Sequence, residues 1–216
     1  METEHSLDEL LCQSIALFCQ YRLYDGSWGC EEKASFLLEE AHRMASESKN
    51  AVCLAKWGCV VECLSQKFYI RGDIDRILGN IDNSLIAYWK TARKSTVEAF
   101  FAYLWLGYYF LLRFRNPDSS MHARSRRAMS DILSFLTDIF QKLRKETVAS
   151  EVHTLFSTDV WGETVYWAEL VCDSCICEKQ SSVLLRELYD LKKVPLQQGG
   201  MEKDILLQQI LEFYFY

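Results

Sequence analysis

The residues best suited to chemistry are the cysteines of Cys172-Asp173-Ser174-Cys175-Ile176-Cys177. A thiolate is a soft zinc ligand, and helical residues at i and i+3 share a face, so Cys172 and Cys175 could supply two ligands of a tetrahedral set. No second Cys or His pair at matching spacing completes that set, and half-buried thiols are the simpler reading. The four histidines, His5, His42, His122 and His153, stand apart in the sequence. None has a serine or cysteine motif around it that suggests a nucleophile, so each reads as a surface histidine.

Two further groups could bind rather than react. Arg113, Arg115, Arg124, Arg126 and Arg127 cluster around the Asn116-Pro117 turn. They could grip an acidic leader peptide or a partner loop, with a solvated helix face as the plain alternative. Arg124, Arg126 and Arg127 are the candidates there. Trp57, Trp105 and Trp161 fall near the expected starts of apolar helices. They could line a peptide-binding surface or pack in the core.

The elements that position these groups are helical. The chain has 216 residues, 50% apolar, with only 2 prolines and 9 glycines. That balance favours helix over strand and argues against disorder. The net charge of −6 argues against nonspecific nucleic-acid binding. Nine cysteines, mostly at helix-like positions, read as reduced thiols in a cytosolic core rather than a disulfide scaffold. The start METEHSLDELL lacks the basic and apolar regions of a secretory signal. The most apolar run, Ala99 to Leu112, is shorter than the ~20 residues a membrane span needs. A soluble cytoplasmic protein, with no membrane partner, is the expectation.

In chain order, Ser6 and Glu9 form a capping box before Leu7, Leu10, Leu11, Ile15 and Phe18. Tyr24-Asp25-Gly26 breaks that helix, and a second runs from about Glu31. Polar residues Ser46 to Asn50 follow. Leu54 to Trp89 reads as an αα-hairpin. Trp57-Gly58 opens its first helix, Gly72 takes a left-handed conformation in the turn, and Asp73 caps its second. Ser95 and Glu98 form another capping box, ahead of a helix apolar on every side that Asn116-Pro117 ends. A half-exposed helix spans about Met121 to Lys145, and Lys145 to Ser157 is loop. Thr158 or Asp159 caps a helix reaching about Cys177, and Ser181 or Ser182 starts a short amphipathic one. Pro195 to Gly200 is a linker. A last helix from about Glu202 ends in Phe213-Tyr214-Phe215-Tyr216. Either those aromatics dock on the body or a partner covers them.

Trp57-Gly58, Leu106-Gly107 and Trp161-Gly162 recur, their glycines 49 and 55 positions apart. Helix pairs repeated every ~50 residues build a solenoid or an α/α toroid, with apolar helices inside and half-exposed helices outside. Chance placement of helical glycines is the alternative.

The hairpin WGCVVECLSQKFYIRGDIDRILGNID resembles the second helical pair of lanthionine synthetase C-like proteins. The matching elements are Glu62-Cys63-Leu64, the turn to Gly72-Asp73, Asp75-Arg76-Ile77-Leu78 and Ile81-Asp82. Leu106 to Ser120 is similar to the family's third inner helix and exit turn, and Ile15 to Gly26 to the end of its first. The resemblance covers about residues 6 to 192, as four pairs. It implies an α/α toroid, seven pairs in full. Active members hold a zinc through a cysteine and a later Cys-His dipeptide, and a zinc-bound substrate thiolate adds to a dehydroamino acid. This chain has about half that length and no Cys-His dipeptide, and Ala55-Lys56-Trp57-Gly58 replaces a glycine-rich turn. No catalytic residue carries over.

The expected fold is therefore all-α: αα-hairpin repeats forming an incomplete, open α/α toroid. Residues 1–194 make four helix pairs, and 195–216 a linker and a C-terminal apolar helix. The expected function is noncatalytic binding of a peptide or a maturation enzyme in a ribosomal-peptide modification system. The alternatives are a helical interaction module, or a homodimer through the C-terminal aromatic helix. A third is a zinc-dependent thioether cyclase fragment needing a second chain, the only reading in which zinc is expected.

Overall fold

The computed structural model describes residues 6–23, 28–91, 97–145, 158–191 and 205–215. Among these the secondary structure is all helical: α1 Leu7–Leu23, α2 Trp28–Ser48, α3 Ala51–Gln66, α4 Ile74–Thr91, α5 Val97–Arg115, α6 His122–Lys145, α7 Thr158–Asp173, α8 Glu178–Leu191 and α9 Ile205–Phe215. The chain divides into two compact units. The first is Met1–Leu85 with Asp204–Tyr216, and the second is Ile86–Lys203.

In the first unit, α1 starts at the expected capping box. Ser6 N–H donates to Glu9 Oε2 at 2.8 Å, and Glu9 N–H to Ser6 Oγ at 3.3 Å. The apolar stripe of α1 (Leu10, Leu11, Ile15, Phe18) is buried, with α1 against α2 as the most extensive helix contact. α3 packs on both. It begins earlier than expected, at Ala51. Asn50 is its N-cap and accepts from Val52 N–H at 2.9 Å. An asparagine side chain satisfies a first-turn donor that nothing near Trp57 could. Trp57-Gly58 is therefore helix interior and not a helix start.

The C-terminal helix α9 returns to this unit and packs on α1 and α3. Leu206, Leu207 and Ile210 are buried there. Phe213 meets Tyr69 at 5.3 Å between ring centroids. Tyr214 hydroxyl donates to Gln66 Oε1, and Gln66 Nε2 donates to the buried Glu62 carboxylate at 3.1 Å. Of the two outcomes open for the terminal aromatics, Phe213 and Tyr214 take docking on the body.

In the second unit, α5 packs on α6 and α7 on α8 as sequential pairs, while α5 also meets α7 and α6 meets α8. α5 is buried on all sides from Tyr103 to Arg113, as its composition requires. The α5–α7 contact closes over Gly107, where an added Cβ would lie 2.7 Å from the Trp167 indole. Only glycine allows that approach. The equivalent space at Gly162 is open. Trp89, Tyr103 and Phe135 form an edge-to-face aromatic cluster, with Trp89–Tyr103 at 5.0 Å and Tyr103–Phe135 at 4.3 Å. α5 ends as expected at Asn116-Pro117, where Asn116 Oδ1 accepts from Asp118 N–H at 3.0 Å in an Asx turn.

The expected caps Ser95 and Thr158/Asp159, the Lys145–Ser157 loop and the Pro195–Gly200 linker lie outside the described residues or side chains.

Candidate interaction surface

The cysteine cluster does not share one helix. Cys172 lies in the last turn of α7, Cys175 in the following turn, and Cys177 ahead of α8. Cys175 is left-handed, with φ 54°, so the i, i+3 helical face expected for Cys172 and Cys175 is absent. Hydrogen bonding to Glu178 and its negative charge raise the Cys175 thiol above the ordinary range. Burial raises Cys177, against the opposing effect of Arg126. Both therefore favour the neutral thiol over the thiolate that binds metal. Among the described residues, no three His, Cys, Asp or Glu side chains stand together so as to hold a metal ion. Cys59 and Cys63 are wholly buried, and burial pushes both thiols well above the ordinary range.

His42 stacks on Trp57 with ring centroids 4.5 Å apart. His122 Nε2–H donates to the Asn116 carbonyl at 2.8 Å, holding the α5–α6 turn. Both act structurally. His5 and His153 lie outside the described residues.

The arginine cluster separates by depth. Arg113 is wholly buried. Arg115 Nε donates to Ser174 Oγ at 2.9 Å, tying α5 to the end of α7. Arg124, Arg126 and Arg127 are exposed on the first turns of α6, and Arg126 covers the Phe114 ring at 5.5 Å. The structure thus leaves three of the five available to a partner.

The tryptophans are not equivalent. Trp57 is 5% exposed and Trp105 3%. Trp57 Nε1–H donates to the Leu38 carbonyl at 3.0 Å, so its polar edge is satisfied inside the first unit. Trp161, in the first turn of α7, is half-buried and donates to the Leu188 carbonyl at 2.9 Å. Only Trp161 lies near a helix start, so the three do not form a ring of helix ends. The reason is the early start of α3 at Asn50, together with the place of Trp105 midway along α5.

A surface that the spacing patterns did not reveal lies at one end of the first unit. α3 closes in a Schellman turn: Tyr69 N–H donates to Leu64 O at 2.8 Å, and Phe68 N–H to Ser65 O at 2.9 Å. The left-handed residue that ends α3 is Phe68, with φ 61°, while Gly72 further along the turn takes the expected positive φ, 142°. Asp73 does cap α4 as expected, accepting from Arg76 N–H at 3.0 Å. Phe68 is 83% exposed. Arg22, at the end of α1, donates from Nη1 to Lys67 O at 2.9 Å and lies 5.1 Å over the Tyr69 ring. Its neighbour Leu23 is 76% exposed. Lys67 Nζ stands 5.7 Å over the Tyr214 ring. Nothing local in Ser65-Gln66-Lys67-Phe68 signals the left-handed residue, because an aromatic L-residue disfavours that conformation.

No protein-family model, curated protein or solved structure matches the chain. No helix among the described residues is long and apolar enough to cross a membrane.

Proposed function

We propose that this is a noncatalytic lanthionine synthetase C-like protein, an open arc of an α/α toroid. It binds a peptide or a maturation enzyme in a ribosomal-peptide modification system. The resemblance of the Trp57–Asp82 sequence to a helical pair of that family supports the family. The pairing of α5 with α7 and α6 with α8 fits a stacked helical repeat. One observation carries the binding role. Of the large apolar side chains exposed among the described residues, Leu23, Phe36, Phe68, Ile77 and Ile205 belong to the first unit, and only Tyr189 to the second. That unequal distribution favours the first unit for a binding surface, where the exposed Leu23 and Phe68 stand at the ends of two helices joined by the hydrogen bond from Arg22 to Lys67 O.

The test uses a synthetic peptide bearing one cysteine and one dehydrobutyrine. Equilibrium retention of the peptide by the full chain, with its alkylatable thiol still present afterwards, is the expected result. Addition of the thiol to the dehydroamino acid leaves the mass unchanged, so thiol count is the informative readout. Loss of the thiol would make the protein a cyclase, and no retention would remove the peptide-binding role.

The second reading, a homodimer through the C-terminal helix, draws on Ile205. This side chain is 68% exposed at the head of α9, while Leu206 and Leu207 beside it are buried. Light scattering across a concentration series decides it: a constant monomer mass removes the dimer.

A further inference from the structure

We propose that the end of the first unit formed by Arg22, Leu23, Lys67 and Phe68 is a docking site for an acidic peptide segment carrying a large apolar anchor. This rests on the peptide-binding reading above and names both the site and the chemistry of its ligand.

Phe68 is the first argument. A left-handed conformation costs an L-residue about 1–2 kcal/mol, and glycine avoids that cost. An aromatic ring ordinarily offsets such strain by packing, but this one is 83% exposed, so in the free protein it recovers little. A side chain held strained and uncovered suits contact with something outside the chain. Leu23 is exposed next to Arg22, whose hydrogen bond to Lys67 O ties the ends of α1 and α3 together. Beyond the turn, Ile77 is exposed as well, and its Cδ1 lies 3.7 Å from where a Cβ on Gly72 would stand.

The cations choose the ligand's charge. Among the described residues, Arg22 and Lys67 meet a carbonyl and two tyrosine rings, and neither meets a carboxylate. Elsewhere in the same unit, Arg43 pairs with Glu40 and Glu47, and Lys56 with Asp8. On the neighbouring α2, Glu31 is engaged by the Tyr21 hydroxyl, and Arg71 acts on the same tyrosine with positive charge. Asp73 is occupied in capping α4. Two cations that meet no carboxylate among the described residues, together with two exposed apolar side chains, are complementary to a segment that alternates carboxylates with a Leu- or Phe-type anchor.

A short segment fits better than an anionic bilayer. The chain as a whole carries a net charge of −6, which repels an extended negative surface. A peptide lying within one Debye length of Arg22 and Lys67, about 8–10 Å, is attracted by those two charges before the rest of the chain repels it.

The experiment selects binders from a random dodecapeptide display library on the full-length protein, then measures the selected peptides by fluorescence anisotropy. The expected peptides are acidic, with at least one large apolar residue, and bind more weakly as salt rises. Lys67→Glu and Phe68→Gly should each weaken them about tenfold or more. Phe68→Gly relieves the backbone strain, so its melting temperature should be unchanged or higher, and its loss of binding cannot be assigned to misfolding. Neutral or basic selected peptides, or acidic ones indifferent to Phe68→Gly, would overturn the proposal. Acidic peptides weakened only by Arg124→Glu, Arg126→Glu and Arg127→Glu would move the site to α6 and leave the peptide-binding reading intact. A failed selection alongside retention of the dehydrobutyrine peptide would overturn the acidic-peptide site and leave the peptide-binding reading intact. Phe68-dependent pelleting with phosphatidylserine-containing vesicles, with no peptide selected, would replace the ligand by a membrane surface.

Discussion

In the second unit the aromatic side chains answer one another. Trp89, Tyr103 and Phe135 meet edge to face, Phe100 meets Phe140 at 6.1 Å, and Trp167 lies wholly buried against Gly107. In the first unit the core is more aliphatic and thiol-rich, and aromatic residues reach its edge. Phe36 and Phe68 are exposed, and Tyr69 and Tyr214 carry cations over their rings. Both units use the same turn device. Phe68 follows α3 and Cys175 follows α7 with positive φ, each with its N–H returned to a carbonyl in the helix it ends. The difference lies in what stands on the turn. A small thiol there leaves the neighbouring Ile176 to seal the core, whereas a phenyl ring there projects apolar surface into solvent. One turn closes over its core and the other leaves its ring in solvent.

The largest expected effect breaks that comparison from the first unit. Truncation after Gly199 removes α9 and uncovers the faces of α1 and α3 that Leu206, Leu207 and Ile210 cover. Each such side chain contributes about 1.5–3 kcal/mol by burial. The shortened chain should therefore melt well below the full chain and aggregate; an unchanged melt would mean α9 does not belong to that core.

Next comes the closed unit. Trp167→Ala should destabilise by about 3–5 kcal/mol in chemical denaturation, because the cavity opens on a helix contact that cannot collapse around Gly107. Gly107→Ala should cost about 1–3 kcal/mol, since its methyl meets a rigid indole. Gly162→Ala should instead stabilise, by about 0.5–1 kcal/mol, because nothing lies within 4 Å of the added carbon. Equal effects at the two glycines would remove the distinction between a packing glycine and an incidental one.

Phe68→Gly and Cys175→Gly sharpen the comparison of turns. Each should raise stability by up to about 1 kcal/mol. If Phe68→Gly destabilises while Cys175→Gly stabilises, the phenyl ring is packed after all.

The smallest effect concerns rate. Cys175 is exposed, yet Glu178 holds its thiol above the ordinary range. At neutral pH its thiolate fraction is therefore below that of an unperturbed thiol, and alkylation should accelerate only as pH climbs toward the raised value. Glu178→Gln should speed iodoacetamide labelling at neutral pH, followed by mass spectrometry. An unchanged rate would show that Glu178 does not govern the thiol.

Much of the helix pattern is legible in the amino acids. Ser6 and Glu9 spell a cap, Asp73 spells another, and Asn116-Pro117 spells a stop, because each acts on backbone groups within four residues of itself. The all-round apolar character of α5 foretells its burial for the same local reason. The tryptophans mislead because Trp-Gly resembles a helix opening, while Asn50, seven positions earlier, holds the true cap. The cysteine run misleads because helical spacing presumes a continuous helix, and the chain turns between Cys172 and Cys177.

The amino acids by themselves determine that this chain is helical, where most of its helices begin and end, and which stripes turn inward. Those are short-range matters of backbone donors, acceptors and apolar period. Tertiary structure alone decides that α9 returns to the first unit, that Gly107 and not Gly162 admits a neighbouring indole, and that Arg22 joins Lys67 beside an uncovered Phe68. Each of these depends on groups far apart in the chain, such as Arg22 with Lys67, 45 positions on, and Gln66 with Tyr214, 148 positions on. No local period encodes such meetings, because they follow from which buried faces find one another once the helices exist.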